Sequence, residues 1–189
     1  MEANAVLDLF RQSGALLEGH FRLSSGLHSG RYLQSALVLQ FPEHAAALGA
    51  ALADRTRHLQ PTVVLSPALG GIVIGQEVAR ALGVRAMFAE RQDGALTLRR
   101  GFALASDDRV LVVEDVITTG GSTRETIEVA ANAGAHVLGA AAIIDRGTDP
   151  ARVYVPMTTL VQLDVPAYPP ESCPLCAKDI PVVKPGSRS

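Results

Sequence analysis

The stretch Val110–Thr123, VLVVEDVITTGGST, decides how the rest of the chain is read. Val110 to Val113 form an apolar, β-branched run without polar alternation, as expected of a strand covered on both faces in a parallel sheet. Two adjacent acids, Glu114 and Asp115, follow, and then Val116, Ile117 and the small-residue turn Thr118-Thr119-Gly120-Gly121-Ser122. Arg124 to Ala133 carries Ile127, Ala130 and Ala131 at helical spacing, so the order is strand, loop, helix. The start of a helix is an anion site, because its first amides are unpaired and its dipole is positive there.

The turn contains neither the lysine of a P-loop nor the G-x-G-x-x-G spacing of a dinucleotide fold. Two carboxylates on the strand side of a phosphate pocket suit a ligand that also offers vicinal hydroxyls. A ribose 5-phosphate has both. VVEDVITTGGS resembles the phosphoribosyl pyrophosphate (PRPP) signature of the type I phosphoribosyltransferases, in which a hydrophobic run, two acids and a TTGGS-type turn fall in register.

The composition fits one soluble globular domain: 189 residues, 48% hydrophobic, 19% charged, formal net charge −2. A chain of this length buries about 70% of its unfolded surface. Its cations are scattered, which disfavours nucleic acid as a partner. MEANAVLDLF lacks the basic start and apolar core of a signal peptide, and the longest apolar stretch, near 137–144, is too short to span a bilayer. The expectation is a cytoplasmic protein.

Outward from the central motif, Ala3, Val6, Leu7 and Phe10 share a helical face that ends near Gly14. His20 to Gln40 alternates imperfectly around Gly26 and Gly30, which predicts short antiparallel strands lying as a cap over a main sheet. Its Leu23-to-Gly26, Ser29 and Tyr32 pattern is similar to the N-terminal hood of orotate phosphoribosyltransferases, many of which carry lysine where Ser24 stands. The resemblance implies that Ser25, Ser29 and Tyr32 face the base; the alternative is that they only satisfy turn backbone.

Pro42 opens an Ala-rich helix to about Arg57, and Thr62 to Leu65 reads as a buried strand. Ser66-Pro67-Ala68-Leu69-Gly70-Gly71 then leads into a helix from Ile72 to Leu82. Two strand–loop–helix units place both loops at the carboxyl ends of parallel strands. The resemblance makes Ala68, Leu69, Gly70 and Gly71 the pyrophosphate loop, although such glycines also serve close packing.

After a strand from Val84 to Ala89, Glu90 to Gly101 (ERQDGALTLRRG) is a polar excursion with the makings of a mobile lid. In the family the matching loop closes over PRPP in the neighbouring subunit of a homodimer and commonly carries lysines and a histidine. Here Arg91, Arg99 and Arg100 are the available cations. Arg91 is the expected catalytic one, while Arg99 and Arg100 read either as lid cations or as a solvated strand face.

Val137 to Ile144 is another buried strand, ending at Asp145-Arg146-Gly147. A base that bears a carboxylate needs a fixed cation, and the resemblance assigns orotate binding to Arg146 with Thr118 beside it; a surface pairing of Arg146 with Asp149 is the alternative. Met157 to Leu163 is the last strand, before a Pro-rich tail. There Cys173-Pro174-Leu175-Cys176 is half of a zinc motif, but no histidine follows. Reduced thiols, a structural metal and a redox disulfide all stay open. None of His20, His28, His44, His58 and His136 forms a pair at ligand spacing, and each reads as a surface or boundary residue. The ending from Ile180 through Arg188 is similar to that of a subgroup of orotate phosphoribosyltransferases which also carry C-P-L-C.

The resemblance therefore implies one domain of type I phosphoribosyltransferase fold, an α/β central parallel sheet flanked by helices, with a hood at about 1–40, a core at about 41–165 and a tail at about 166–189. It implies Mg²⁺-dependent transfer of a phosphoribosyl group from PRPP to orotate in pyrimidine (UMP) biosynthesis. Glu114, Asp115 and Arg91 would be catalytic, Glu114 through Ser122 (Val116, Ile117, Thr118, Thr119, Gly120 and Gly121 included) would bind PRPP, and Mg²⁺ would arrive with PRPP rather than on a dedicated protein site. The rivals are a transferase for another base and a non-catalytic PRPP-sensing regulator.

Overall fold

The computed structural model describes residues 1–23, 25–147 and 149–185; Ser24 and the last residues of the tail lie outside the described residues. From the amino end the elements are α1 (Ala3–Gln12), β1 (Leu16–Arg22), β2 (His28–Leu33), α2 (Ser35–Leu39), α3 (Pro42–Thr56), β3 (Val63–Pro67), α4 (Gly70–Leu82), β4 (Arg85–Gln92) and β5 (Ala95–Leu98). They continue with β6 (Arg109–Ile117), α5 (Gly121–Asn132), β7 (His136–Asp145), β8 (Met157–Gln162) and β9 (Ala167–Tyr168).

Six strands form the main sheet in the order β5-β4-β3-β6-β7-β8. All neighbours are parallel except the edge pair β4 and β5. The apolar runs supply its centre, and Val63, Val64, Leu65 and Val110 through Val113 are all fully buried. Each such side chain contributes about 1.5–3 kcal/mol, which makes these strands a rigid platform.

The pleat sorts these residues into two layers. Val64, Leu111 and Val113 pack with Val6, Leu48, Ile74 and Val78, on the side of α1, α3 and α4. Val63, Leu65, Val110 and Val112 pack with Ile127 and Ala130 of α5. The chain runs from β3 to β4 on one side and returns to β6 on the other, so the strand order reverses between β3 and β6. In an open α/β sheet the crevice at that point is where ligands bind.

The expected lid takes a different form. β4 continues through Gln92 and pairs with β5, Arg91 facing Leu96 and Gln92 facing Ala95. Asp93 and Gly94 both have positive φ, 52° and 89°, the backbone of a two-residue hairpin turn whose twist matches the flanking strands. The charges of Glu90, Arg91 and Asp93 mask an Asp-Gly hairpin signal.

The hood is a separate three-stranded antiparallel sheet in the order β1-β2-β9. Its third strand comes from the tail. Farther on, the tail also borders the other edge, where Val183 N–H donates to His20 O (2.8 Å) and Arg22 N–H donates to Val183 O (2.9 Å). This wrapping overturns the reading of the histidines. His20 and His28 are buried, and the tail brings Cys173 and Cys176 against them. Their separation in sequence hides the proximity. No helix among the described residues is long and apolar enough to cross a membrane.

Candidate active site

Glu114 and Asp115 lie near the carboxyl end of β6, and the strand's period of two sends them to opposite faces. Glu114 shares the face of Val110 and Val112 and turns toward α5. Its carboxylate is buried, and accepts the Ser122 hydroxyl at 2.5 Å and the Thr123 hydroxyl as well. Burial pushes its pKa above the usual carboxylate range; the two hydroxyl hydrogen bonds oppose the shift, and the charge of Asp115 adds to it. Glu114 thus braces the first turn of α5.

Asp115 shares the other face and turns toward the start of α4. It lines a cavity of about 330 Å³ with Gln34, Leu39, Leu69, Gly70 and Val73. The two acids therefore do not form one two-pronged clamp. Asp115 is the one that reaches open space.

Between the acids and α5 lies the turn Thr118–Gly120. Thr118 and Thr119 are exposed, and Gly120 takes left-handed backbone (φ 73°) at the helix N-cap. Arg124 N–H donates to Gly120 O at 2.9 Å, so the amides of Gly121, Ser122 and Thr123 lie ahead of this bond at the positive end of the dipole. The Arg124 guanidinium donates to both Thr119 O (3.0 Å) and Arg152 O (2.8 Å) and clips the turn in place.

The loop after β3 faces this turn across the crevice, and the Ala68–Leu69 peptide is cis. Its residues divide by role. Ala68 N–H donates to Ala89 O of β4 at 2.7 Å, so this amide is spent within the sheet and is removed from the expected pyrophosphate donors. Gly71 serves packing: a methyl group there would stand 3.0 Å from Val113 O. Leu69 and Gly70 remain at the cavity, with Leu69 83% exposed.

A second cavity, of about 450 Å³, lies under the hood and is lined by Leu23, Ser25, Leu27, Tyr32, Thr118 and Arg146 among others. Arg146 N–H donates to Ile117 O (2.8 Å). Asp145 accepts the Gly147 amide (2.8 Å) and the buried Arg152 guanidinium, and so shapes the turn that presents Arg146. Arg146 Nε is buried and has no hydrogen-bond partner, and burial lowers the pKa of this guanidinium. A desolvated cation with a spare donor fits a planar carboxylate. Ser29 is not part of this site. It lies on the other face of β2 from Tyr32, and its hydroxyl donates to Pro166 O (3.0 Å).

The three arginines of the excursion are held elsewhere. Arg91 pairs with Glu125 of α5 through two 2.9 Å bonds and donates to Gly94 O. Arg100 pairs with Glu90 at 2.9 Å, and Arg99 stands 3.9 Å from the same acid. None of the three is among the described residues that line the two cavities. The apolar lining residues Leu27 and Leu39 escape the sequence reading, because an apolar cavity wall and a core position carry the same signal.

Residues 36–167 match the family model described as "Phosphoribosyl transferase domain". An orotate phosphoribosyltransferase of Pelotomaculum thermopropionicum is 50% identical over 188 residues, covering all of this chain and 99% of the relative. One of Heliobacterium modesticaldum is 50% identical over 191 residues, with both chains fully covered. Among solved structures, orotate phosphoribosyltransferase from Aeropyrum pernix superposes with a TM-score of 0.67 at 27% identity, covering 84% of this chain and 93% of that one. The Mycobacterium tuberculosis enzyme in complex with PRPP matches in fold with a TM-score of 0.68 at 24% identity, covering 85% and 96%.

Proposed function

The chain belongs to the phosphoribosyl transferase domain family and, within it, to the orotate phosphoribosyltransferases; on that premise we infer that it transfers the 5-phosphoribosyl group of PRPP to N1 of orotate in pyrimidine biosynthesis. The products are orotidine 5′-monophosphate and pyrophosphate. What carries the base assignment on this chain is Arg146, a half-buried cation with a buried, unpartnered Nε in the cavity that Thr118 also lines.

In the reaction the C1′–O bond breaks and its electron pair leaves with pyrophosphate, while N1, having lost its proton, bonds to C1′. The ribosyl carbon acquires oxocarbenium character, as in glycoside cleavage. Holding the pieces in line matters more than activating a nucleophile. The 5-phosphate is assigned to the Thr118–Ser122 turn and the α5 amides, the ribose hydroxyls to Asp115, pyrophosphate to Leu69 and Gly70, and the orotate carboxylate to Arg146. Glu114 acts by holding Ser122 and Thr123, and neither acid is a covalent nucleophile.

Mg²⁺ belongs to this reading. The donor set fits a hard cation, since Asp115 is a half-buried carboxylate facing the cavity next to the pyrophosphate loop. Bound with PRPP, the ion would neutralise charge on the leaving group. Asp115 would offer it a protein oxygen, and the substrate's own oxygens would supply most of the rest.

The reading also includes a homodimer with shared active sites, in which the β4–β5 hairpin brings Arg91, Arg99 and Arg100 to the partner's substrate. Two observations support it: these cations lie off their own chain's cavities, and Leu69 and Val73 expose apolar side chains at the rim of the Asp115 cavity. A cytoplasmic location is the last part, supported by Cys173 and Cys176 standing side by side without a disulfide.

The test is the orotate absorbance on mixing purified protein with orotate, PRPP and Mg²⁺. A PRPP-dependent decline is expected, and its absence with orotate but presence with uracil or a purine would overturn the base assignment.

A further inference from the structure

Outside the chemistry of the crevice, four side chains aim at one point. His20 sits on β1 and His28 opens β2, while Cys173 and Cys176 belong to the tail. His20, His28 and Cys173 are 3%, 7% and 4% exposed, and Cys176 is half-buried, which leaves a route in from solvent. One donor atom from each lies within 4.8 Å of every other.

We propose that His20, His28, Cys173 and Cys176 form a structural Zn²⁺ site that fastens the tail to the hood sheet. Tetrahedral zinc with bonds of about 2.3 Å to sulfur and about 2.0–2.1 Å to nitrogen sets its ligand atoms about 3.3–3.8 Å apart. Cys176 Sγ stands 3.3 Å from His28 Nδ1 and 3.7 Å from His20 Nε2, and Cys173 Sγ stands 3.6 Å from His20 Nε2. The two ring nitrogens are 2.9 Å apart, a distance that opens by a few tenths of an ångström around an ion.

Hydrogen bonding alone does not account for the cluster. His20 Nδ1 lies 2.6 Å from Ile180 O and therefore carries the proton, which leaves Nε2 with a single lone pair. Three groups, His28 Nδ1 and both thiols, crowd that one acceptor. A cation at the centre takes a lone pair from each of the four instead. The Ile180 carbonyl then plays the part that outer partners play at zinc sites, fixing tautomer and ring orientation.

Charge points the same way. Two thiolates balance Zn²⁺, so the filled site is neutral and suits burial, and soft sulfur with imidazole selects zinc over the hard ions. Binding releases the two thiol protons. A Cys173–Cys176 disulfide would leave both histidines unexplained.

The position gives the site a role. His20 and His28 bracket the loop that contributes Leu23, Ser25 and Leu27 to the cavity under the hood, so the metal steadies that wall without touching substrate.

The experiment is metal analysis of the untagged full chain, purified under reducing conditions without chelator, together with Co²⁺ replacement. About one zinc per chain is expected, and the cobalt form should show thiolate-to-metal charge-transfer bands and intense tetrahedral d–d bands. Cys176→Ser and His28→Ala should lower zinc to less than about a tenth of an equivalent. Wild-type protein that holds no zinc after incubation with equimolar Zn²⁺ overturns the proposal, as does undiminished zinc in Cys176→Ser. If the variants fail to fold, the wild-type cobalt spectrum decides, and weak octahedral absorption without charge transfer overturns it.

Discussion

The Asp115 carboxylate lies so close to Gly70 that a methyl group on Gly70 would stand 2.7 Å from Asp115 Oδ1. A residue near the end of β6 and the residue that begins α4 are thus fitted across the point where the strand order reverses.

Gly70→Ala should keep the fold and displace the carboxylate, because Asp115 faces a cavity and has room to swing. A misplacement of about 1 Å costs about 10²-fold in rate where geometry governs the reaction. We expect a loss of that order in kcat/KM for PRPP with thermal unfolding little changed. Steady-state kinetics beside a melting curve checks it, and unaltered kinetics would show that Asp115 is not a substrate ligand.

Arg146→Ala should separate the two substrates. A hydrogen-bonded charge contact contributes about 1.5–3 kcal/mol, so kcat/KM for orotate should fall about 10- to 100-fold. PRPP affinity, measured by calorimetry without orotate, should stay near wild type. A parallel loss of both would place Arg146 in the general framework of the site rather than at the base.

Glu114→Gln tests the brace through pH. Burial raises the native pKa of Glu114, so the folded state binds this proton more tightly than the unfolded state does. The resulting contribution favours folding below the ordinary glutamate pKa and is lost as pH rises through the native value. The variant lacks this titration. Wild-type stability relative to Glu114→Gln should therefore decline with rising pH, by about 1.4 kcal/mol for each unit separating native from unfolded pKa. Urea denaturation of both proteins over a pH series measures the difference, and parallel profiles would refute the assignment.

Arg91 and Glu125 offer a paired test. To meet pyrophosphate, Arg91 must leave Glu125, whose carboxylate it now grips with two bonds. Arg91→Ala should lower kcat by about 10²- to 10³-fold, the range for loss of a donor that stabilises developing charge. Glu125→Gln frees the guanidinium and should leave kcat equal or higher. Equal losses in the two variants would make the pair structural.

The apolar centres of β3 and β6, at residues 63–65 and 110–113, are legible because buried parallel strands carry continuous apolar runs, and the small-residue turn before α5 because glycine, threonine and serine cluster there. What was not legible depended on contacts distant in sequence or on the pleat. Nothing in the adjacency of Glu114 and Asp115 announces that one packs under α5 while the other opens to a cavity; only the sheet's two faces decide it. Arg91 looked free until α5 supplied Glu125. His20 and Cys173 lie far apart along the chain, and the antiparallel return of β2, together with the wrapping of the tail, joins them.

That wrapping reaches into the order of events during synthesis. Strands β1 and β2 come early from the ribosome, yet the backbone that borders them on both edges, at residues 167–168 and at Val183, is made about 140 to 160 residues later. Until that backbone has been made, the small sheet has open flanks on both sides.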